Sequence, residues 1–182
     1  MLVPTIETDR LRLRGHRMAD ARACAAMWGD PAVVQHILGP VAVPSPAAAH
    51  AAAWRRLLVY AGLWVQLGYG YWAIEERATG AFVGEAGIAD FGREVPLVPP
   101  GEPEFGWVLA TASHGRGYAR EAMRAIMAWI DRNLDAPRTF CAIDAANAPS
   151  LRLARHLGFE PFAEYDTDTS RAFARPRHGV SR

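Results

Sequence analysis

Cysteine is scarce in this chain of 182 residues: there are two, Cys24 and Cys141, each set in an apolar stretch. Thiols so placed read as small buried hydrophobes, and no disulfide framework follows from them. The six histidines are scattered, with no metal-ligand spacing, so no metal site is expected. Charge of one sign is not in excess either. A formal net charge of +1 gives no reason to expect nucleic acid or an anionic membrane as partner. No apolar run approaches the roughly 20 residues of a membrane span. Met1 to Asp9 lacks the basic and apolar regions of a signal peptide, so a cytoplasmic location is the default expectation. Internal repeats and low-complexity tracts are also missing. What remains is the composition of an ordinary soluble protein, 51% hydrophobic and 21% charged. A single domain over 1–182 is expected, long enough to bury a real core, with 175–182 as a frayed basic tail.

Taken in order, Leu11-Arg12-Leu13-Arg14 alternates as a half-buried strand. Asp20 caps or opens a helix over Ala21 to Trp28, ended by Gly29 and Asp30-Pro31. A short helical piece around Ala32 to Ile37 leads into Gly39 to Pro46, too rich in proline for helix. Ser45-Pro46 is a cap-plus-first-turn start for a helix over Ala47 to Leu67, with Trp54, Leu57, Leu58, Ala61 and Val65 as its apolar face. Tyr69 to Glu75 and Ala81 to Ala89 form a hairpin turning at Thr79-Gly80. Phe91 to Pro103 is a Pro- and Gly-rich loop before the strand Glu104 to Ala110. Ala119 to Asn133 is an amphipathic helix, Arg138 to Ile143 a strand, and Ser150 to Leu157 a short helix ended by Gly158. Phe159 to Tyr165 and Ser170 to Ala174 close the chain as strands. The order β-α-α-β-β-β-α-β-α-β-β implies an α+β fold, with helices flanking a central, mixed and mostly antiparallel sheet.

Between the strand ending at Ala110 and the helix opening at Ala119 lies Ser113-His114-Gly115-Arg116-Gly117-Tyr118. Two glycines allow a tight turn and close approach to the backbone. The first turn of a helix leaves N–H groups unpaired and aligned with a dipole that favours phosphate. A plain connecting turn is the bland alternative. A Walker loop would need Lys-Ser or Lys-Thr after the second glycine, and Tyr118-Ala119 stands there. A dinucleotide fingerprint would need a third glycine where Arg120 stands, although Asp144 closes the next strand where a ribose-binding acid could sit. His114 to Ala119 fits the Q/R-x-x-G-x-G/A pyrophosphate loop of the GNAT N-acetyltransferases at every position but the first.

The resemblance extends over almost the whole chain. Thr8-Asp9-Arg10-Leu11-Arg12-Leu13-Arg14 with Asp20-Ala21 looks like the start of the ribosomal-protein (RimJ/RimL-like) branch of that superfamily. Tyr71-Trp72-Ala73-Ile74, Phe82-Val83-Gly84, Glu104-Phe105-Gly106-Trp107-Val108-Leu109 and Gly117 to Ala122 resemble it in order and spacing. So do Asn147-Ala148-Pro149-Ser150 and Leu157-Gly158-Phe159. The resemblance implies an acetyl-CoA-dependent N-acetyltransferase. Its acceptor is a primary amine, on a small molecule or a protein N-terminus, and family likeness adds a homodimer. It also implies that loop amides of His114, Gly115, Arg116, Gly117, Tyr118, Ala119 and Arg120 hold the pyrophosphate. Trp107, Val108 and Leu109 would pair with the pantetheine arm, and one of their amides would receive the thioester oxygen as an oxyanion hole does. These three residues can equally be core strand.

Glu104 is the candidate general base, because an ammonium must lose a proton before its nitrogen attacks, and burial would raise a carboxyl pKa toward a useful range. An exposed edge carboxylate is the alternative, with Glu85 and Asp90 as runners-up. Asn147 caps the helix near Pro149, and the resemblance adds a bond to the pantetheine arm. Ser150 is the candidate donor to the leaving thiolate, because Ala154 stands where many relatives carry a tyrosine; a plain first-turn serine is the alternative. Glu121 reads as a structural acid at a helix start. Most of the six tryptophans should be core, though Trp54 and Trp64 are placed to line an acceptor channel with the Gly39 to Pro46 loop. Asp166 and Asp168 would attract a cation or, preferably, belong to a solvated turn. A catalytically silent acetyl-CoA sensor is the competing function, since the tyrosine is missing and His114 is substituted.

Overall fold

The computed structural model describes residues 2–37, 44–92 and 97–177. Most of the Gly39 to Pro46 segment and part of the Phe91 to Pro103 loop lie outside them. The sheet begins with β1 (Ile6–Glu7) and β2 (Leu11–Arg14), followed by α1 (Ala21–Trp28), α2 (Pro31–Val34) and α3 (Pro46–Leu67). Then come β3 (Tyr71–Glu76), β4 (Phe82–Ala89), β5 (Glu104–Leu109), α4 (Tyr118–Asn133) and β6 (Arg138–Asp144). The chain closes with α5 (Ala148–His156), β7 (Glu160–Pro161) and β8 (Ser170–Pro176). The eight strands lie in the order β1-β2-β3-β4-β5-β6-β8-β7. Every neighbouring pair is antiparallel except β5 and β6. The expected α+β class and mixed, mostly antiparallel sheet are therefore observed.

Alternation along the strands gives the sheet two apolar faces. α1 and α3 cover one through Cys24, Leu57 and Tyr60, packed on Tyr71 and Ala89. α4 covers the other through Tyr118, Met123, Ile126 and Ile130. Each such side chain gains on the order of 1.5–3 kcal/mol from burial, so the α4 stripe alone strongly favours this docking. Both cysteines are free and buried, as expected.

The structure corrects five expectations. On α3 the inward residues are Ala53, Leu57, Tyr60 and Trp64, whereas Trp54, Leu58 and Val65 are exposed. Both sets run at spacings of three and four, so periodicity cannot choose between them. Burial of Tyr60 and Trp64 is settled by partners for their polar tips, the Glu85 carboxylate and the Tyr71 carbonyl. Trp64 also packs edge-on against Trp72 and Trp129, so it is core and lines no channel. Asp20 opens α1 but does not cap it with its side chain. Its oxygens accept from Arg14 Nη1 and Nη2 (2.8 and 2.9 Å) and from the Arg17 amide. The strand expected over Phe159 to Tyr165 shrinks to Glu160–Pro161. There Pro161 has no N–H to donate, and the Ala172 amide bonds the Asp166 carboxylate (2.8 Å). Finally, Arg175 belongs to β8, not to a frayed tail; it is buried and grips Asp131 with both terminal nitrogens (2.9 and 2.6 Å).

Candidate functional site

The parallel pair at the centre of the sheet is barely paired. β5 and β6 share one register pair, Glu104 with Phe140, and then diverge. On its other edge β5 is matched to β4 along its whole length, from Glu104–Ala89 to Leu109–Gly84. The Ala110 amide bonds Val83 on the β4 side (3.0 Å), and the Pro103 carbonyl accepts from Phe140 on the β6 side (3.1 Å). Alternation between these two fixed points turns the N–H and C=O groups of Trp107 and the N–H of Leu109 into the gap between β5 and β6, the Leu109 carbonyl being taken by the His114 ring. An unpaired strand edge of this kind accepts an extended ligand arm as another strand.

The gap runs directly into the glycine loop. Gly115 and Gly117 have φ of 72° and 78°, the left-handed region that side chains disfavour. Gly117 is the N-cap residue of α4 and offers no side-chain cap, which leaves first-turn amides available to an anion. His114 turns inward: its Nε2 lies 2.9 Å from the Leu109 carbonyl, an acceptor, so Nε2 carries the proton. The ring thus holds the loop to the strand end. The Arg116 guanidinium likewise points away from the loop amides, bonding Glu76 (2.7 Å). It lies over one face of the Tyr118 ring, with Arg10 also stacked on that ring. Tyr118 donates its hydroxyl to Glu76.

Strand edge, loop and α5 together bound a cleft of about 650 Å³, within the range of small-molecule sites. Trp107, Val108, Leu109, His114, Gly115, Gly117, Tyr118, Ala119, Arg120, Asn147 and Ser150 all line it. All are sequence-derived candidates, and the fold brings them together. Asn147 caps α5, its Oδ1 accepting from the Ser150 amide (3.1 Å). Ser150 Oγ accepts from Trp107 Nε1 (3.3 Å), which leaves the hydroxyl proton free to be donated into the cleft. Ala154, one turn further on, is buried in the core. Sequence reasoning missed the opposite wall, which is built from Val33, Gln35, His36 and Ile37, and also Arg152. Arg152 carried a signal, a cation two residues past Ser150 on a helix aimed at the loop. The wall residues carried none.

Glu104 stands elsewhere. It is buried on the sheet face opposite Phe105, three residues before Trp107 and so roughly 10 Å along the strand. With Asp90 and Glu102 it lines a second cavity of about 120 Å³ under the Leu97 to Glu102 turn. Asp90 also accepts from the Gly92 amide (2.9 Å). Glu85 is fully buried and committed. It accepts from Trp28 Nε1 (2.8 Å), the Tyr60 hydroxyl (2.5 Å) and the Cys24 thiol (3.4 Å). Burial alone would push its carboxyl up, but His16 at 3.6 Å, the Tyr60 hydroxyl and Arg56 outweigh that and hold it below the usual value. Asp144 is occupied by the Ala146 amide (2.7 Å) and His36 (3.1 Å), and it stands in a mostly antiparallel sheet. Neither fact suits a ribose-binding acid of a dinucleotide fold. Among the described residues no group of three or more potential metal ligands comes together, and no helix is long and apolar enough to cross a membrane.

Comparison with known proteins bears on the same stretch. Residues 10–160 match the profile described as an acetyltransferase (GNAT) domain. An uncharacterized protein, YkkB, of Bacillus subtilis is 33% identical over 93 residues, half of this chain. The match spans about half of that protein's own length, 52%. An uncharacterized N-acetyltransferase, p20, of Bacillus licheniformis is 24% identical over 86% of this chain and 82% of its own. Among solved structures, a GNAT-family acetyltransferase from Bordetella pertussis superposes with a TM-score of 0.76 at 29% identity, covering 94% of this chain and 99% of that one.

Proposed function

This chain belongs to the GNAT acetyltransferase family, and on that premise we propose that it transfers the acetyl group of acetyl-CoA to a primary amine by direct attack on the thioester. One observation carries the reading: the unpaired edge of β5 runs into a two-glycine helix start within a single cleft. The residues present fit the cosubstrate. Loop amides from Gly115 to Arg120 suit a pyrophosphate, and the cations Arg120 and Arg152 border the same cleft. The Trp107 and Leu109 edge suits the pantetheine arm, with Asn147 on the opposite side. When bound, acetyl-CoA supplies an activated acyl group. The protein's part is then to hold it extended, to donate an amide where negative charge develops on the thioester oxygen, and to move two protons.

Ser150 gives one of those protons to the leaving sulfur and regains one from the amine nitrogen once the C–N bond has formed; the Trp107 N–H on its oxygen supports that donor role. Glu104 takes the other from the incoming ammonium. Its distance along β5 favours transfer through a water, and the three carboxylates around its small cavity favour a cationic acceptor. The acceptor itself is a small amine or a protein N-terminus. Thiol release measured over a panel of amines and peptides tests this. Glu104→Gln should lower kcat by roughly 10²-fold with acetyl-CoA affinity retained. Unchanged turnover would remove Glu104 from the mechanism, and acetyl-CoA binding without turnover on any amine would favour a sensor. The chain contains no lysine, so it offers no side-chain amine of its own to confuse the assay.

A further inference from the structure

The glycine loop is held from behind by the lead-in to β2, a segment that the transfer chemistry does not use. Glu121, in the first turn of α4, is claimed with both oxygens. Oε1 accepts from the Thr8 hydroxyl (2.6 Å) and the Arg10 amide (2.9 Å), and Oε2 accepts from Arg10 Nε (2.7 Å), with Nη2 at 2.6 Å. The same guanidinium reaches on into the loop, where Nη1 donates to the Arg116 carbonyl (2.9 Å). Its Cζ lies 4.7 Å from the centre of the Tyr118 ring. It is also the nearest group to a Cβ built on Gly117, at 3.4 Å.

The consequence follows from the planarity of the peptide. In a trans peptide the carbonyl and the next N–H point in opposite directions. Pinning the Arg116 carbonyl on the Arg10 side therefore turns the Gly117 amide the other way, toward the cleft that Gly117 lines. Glycine-rich backbone has no intrinsic preference that would hold this plane. We propose that Arg10 is a positioning residue for the anion-binding loop: by gripping Glu121 and the Arg116 carbonyl at once, it keeps the Gly117 amide aimed at the pyrophosphate of acetyl-CoA. The inference rests on the assignment of the cleft to acetyl-CoA. It adds a requirement for a residue that touches no substrate. Because Glu121 neutralises Arg10, the contribution is one of geometry rather than net charge.

The test compares acetyl-CoA with acetyl-pantetheine, which lacks the pyrophosphate, on wild type, Arg10→Ala, Arg10→Lys and Thr8→Val. For Arg10→Ala the Kd and KM for acetyl-CoA should rise roughly tenfold, the scale of one charge-assisted hydrogen bond. kcat at saturation and the KM for acetyl-pantetheine should stay within about twofold, which a merely structural role could not separate. Arg10→Lys keeps the charge beside Glu121 but cannot span both partners, so it should behave like Arg10→Ala. Thr8→Val leaves the Arg10 contacts intact and should keep wild-type affinity. Full rescue by lysine, or an Arg10→Ala protein with unchanged acetyl-CoA affinity, would overturn the proposal. So would equal loss with both thioesters. A wild-type protein that binds no acetyl-CoA would instead overturn the reading of the cleft and this inference with it.

Discussion

At the scale of single residues the two buried glutamates of the central strands part company. Glu104 borders a cavity with other acids, whereas Glu85 is saturated by Trp28, Tyr60 and Cys24 and serves the packing of α1 and α3 on the sheet. Glu85→Ala would leave the buried Tyr60 hydroxyl and the part-buried Trp28 N–H without their acceptor, at about 1–3 kcal/mol for the first and less for the second. A clear fall in urea midpoint should follow. The pH dependence has a definite sign. A carboxyl held below its ordinary value of about 4.3 adds stability above that pH and loses it as pH falls through the folded value. Wild type should therefore lose stability in acid more steeply than Glu85→Gln does. Parallel acid slopes in urea melts of the two proteins would contradict the account. Neither Glu85 role is written in its sequence context, Gly84-Glu85-Ala86, because its partners arrive from helices 25 to 61 positions away.

At the scale of elements, the loop and the two helix starts around the cleft were legible and the wall opposite them was not. Gly115 and Gly117 read as a tight turn open to close approach because a strand, a short linker and an amphipathic helix flank them, and both have positive φ. Gly117→Ala forces a side chain into the left-handed region at about 1–2 kcal/mol. It should weaken acetyl-CoA binding more than it lowers the melting temperature, as titration beside a thermal melt would show. Asn147 read correctly as a cap from Asn-Ala-Pro-Ser alone. Asn147→Ala should cost about 1 kcal/mol of stability, together with some acetyl-CoA affinity. α3 shows why periodicity sometimes fails. Its apolar residues surround the helix, so Trp54, Leu58 and Val65 and the buried Ala53, Leu57, Tyr60 and Trp64 offer equal patterns. The deciding contacts, from Tyr60 to Glu85 and from Trp64 to the Tyr71 carbonyl, are tertiary. Thr8 to Arg10 looked like family likeness without a task, since its partner Glu121 lies 111 residues from Arg10.

At the scale of the whole molecule, the cleft exists because the sheet comes apart. β5 is tied to β4 along one edge and meets β6 at one register pair, so a cleft opens at the centre of the fold. α4 crosses from β5 to β6 and delivers its free N-terminus to the mouth of that cleft, while α5 delivers Asn147 and Ser150 to its side. The chain order of strands and helices was within reach of the sequence pattern; the divergence of two adjacent strands was not, because β5 and β6 each read as an ordinary strand and meet at one register pair. The central claim is that this divergence is an acetyl-CoA site. Calorimetric titration of the wild-type protein with acetyl-CoA, with NAD as control, tests it most directly. Binding in the micromolar range, on the order of 8 kcal/mol, with no heat from NAD, is the predicted result. No acetyl-CoA binding, or preference for NAD, would contradict it.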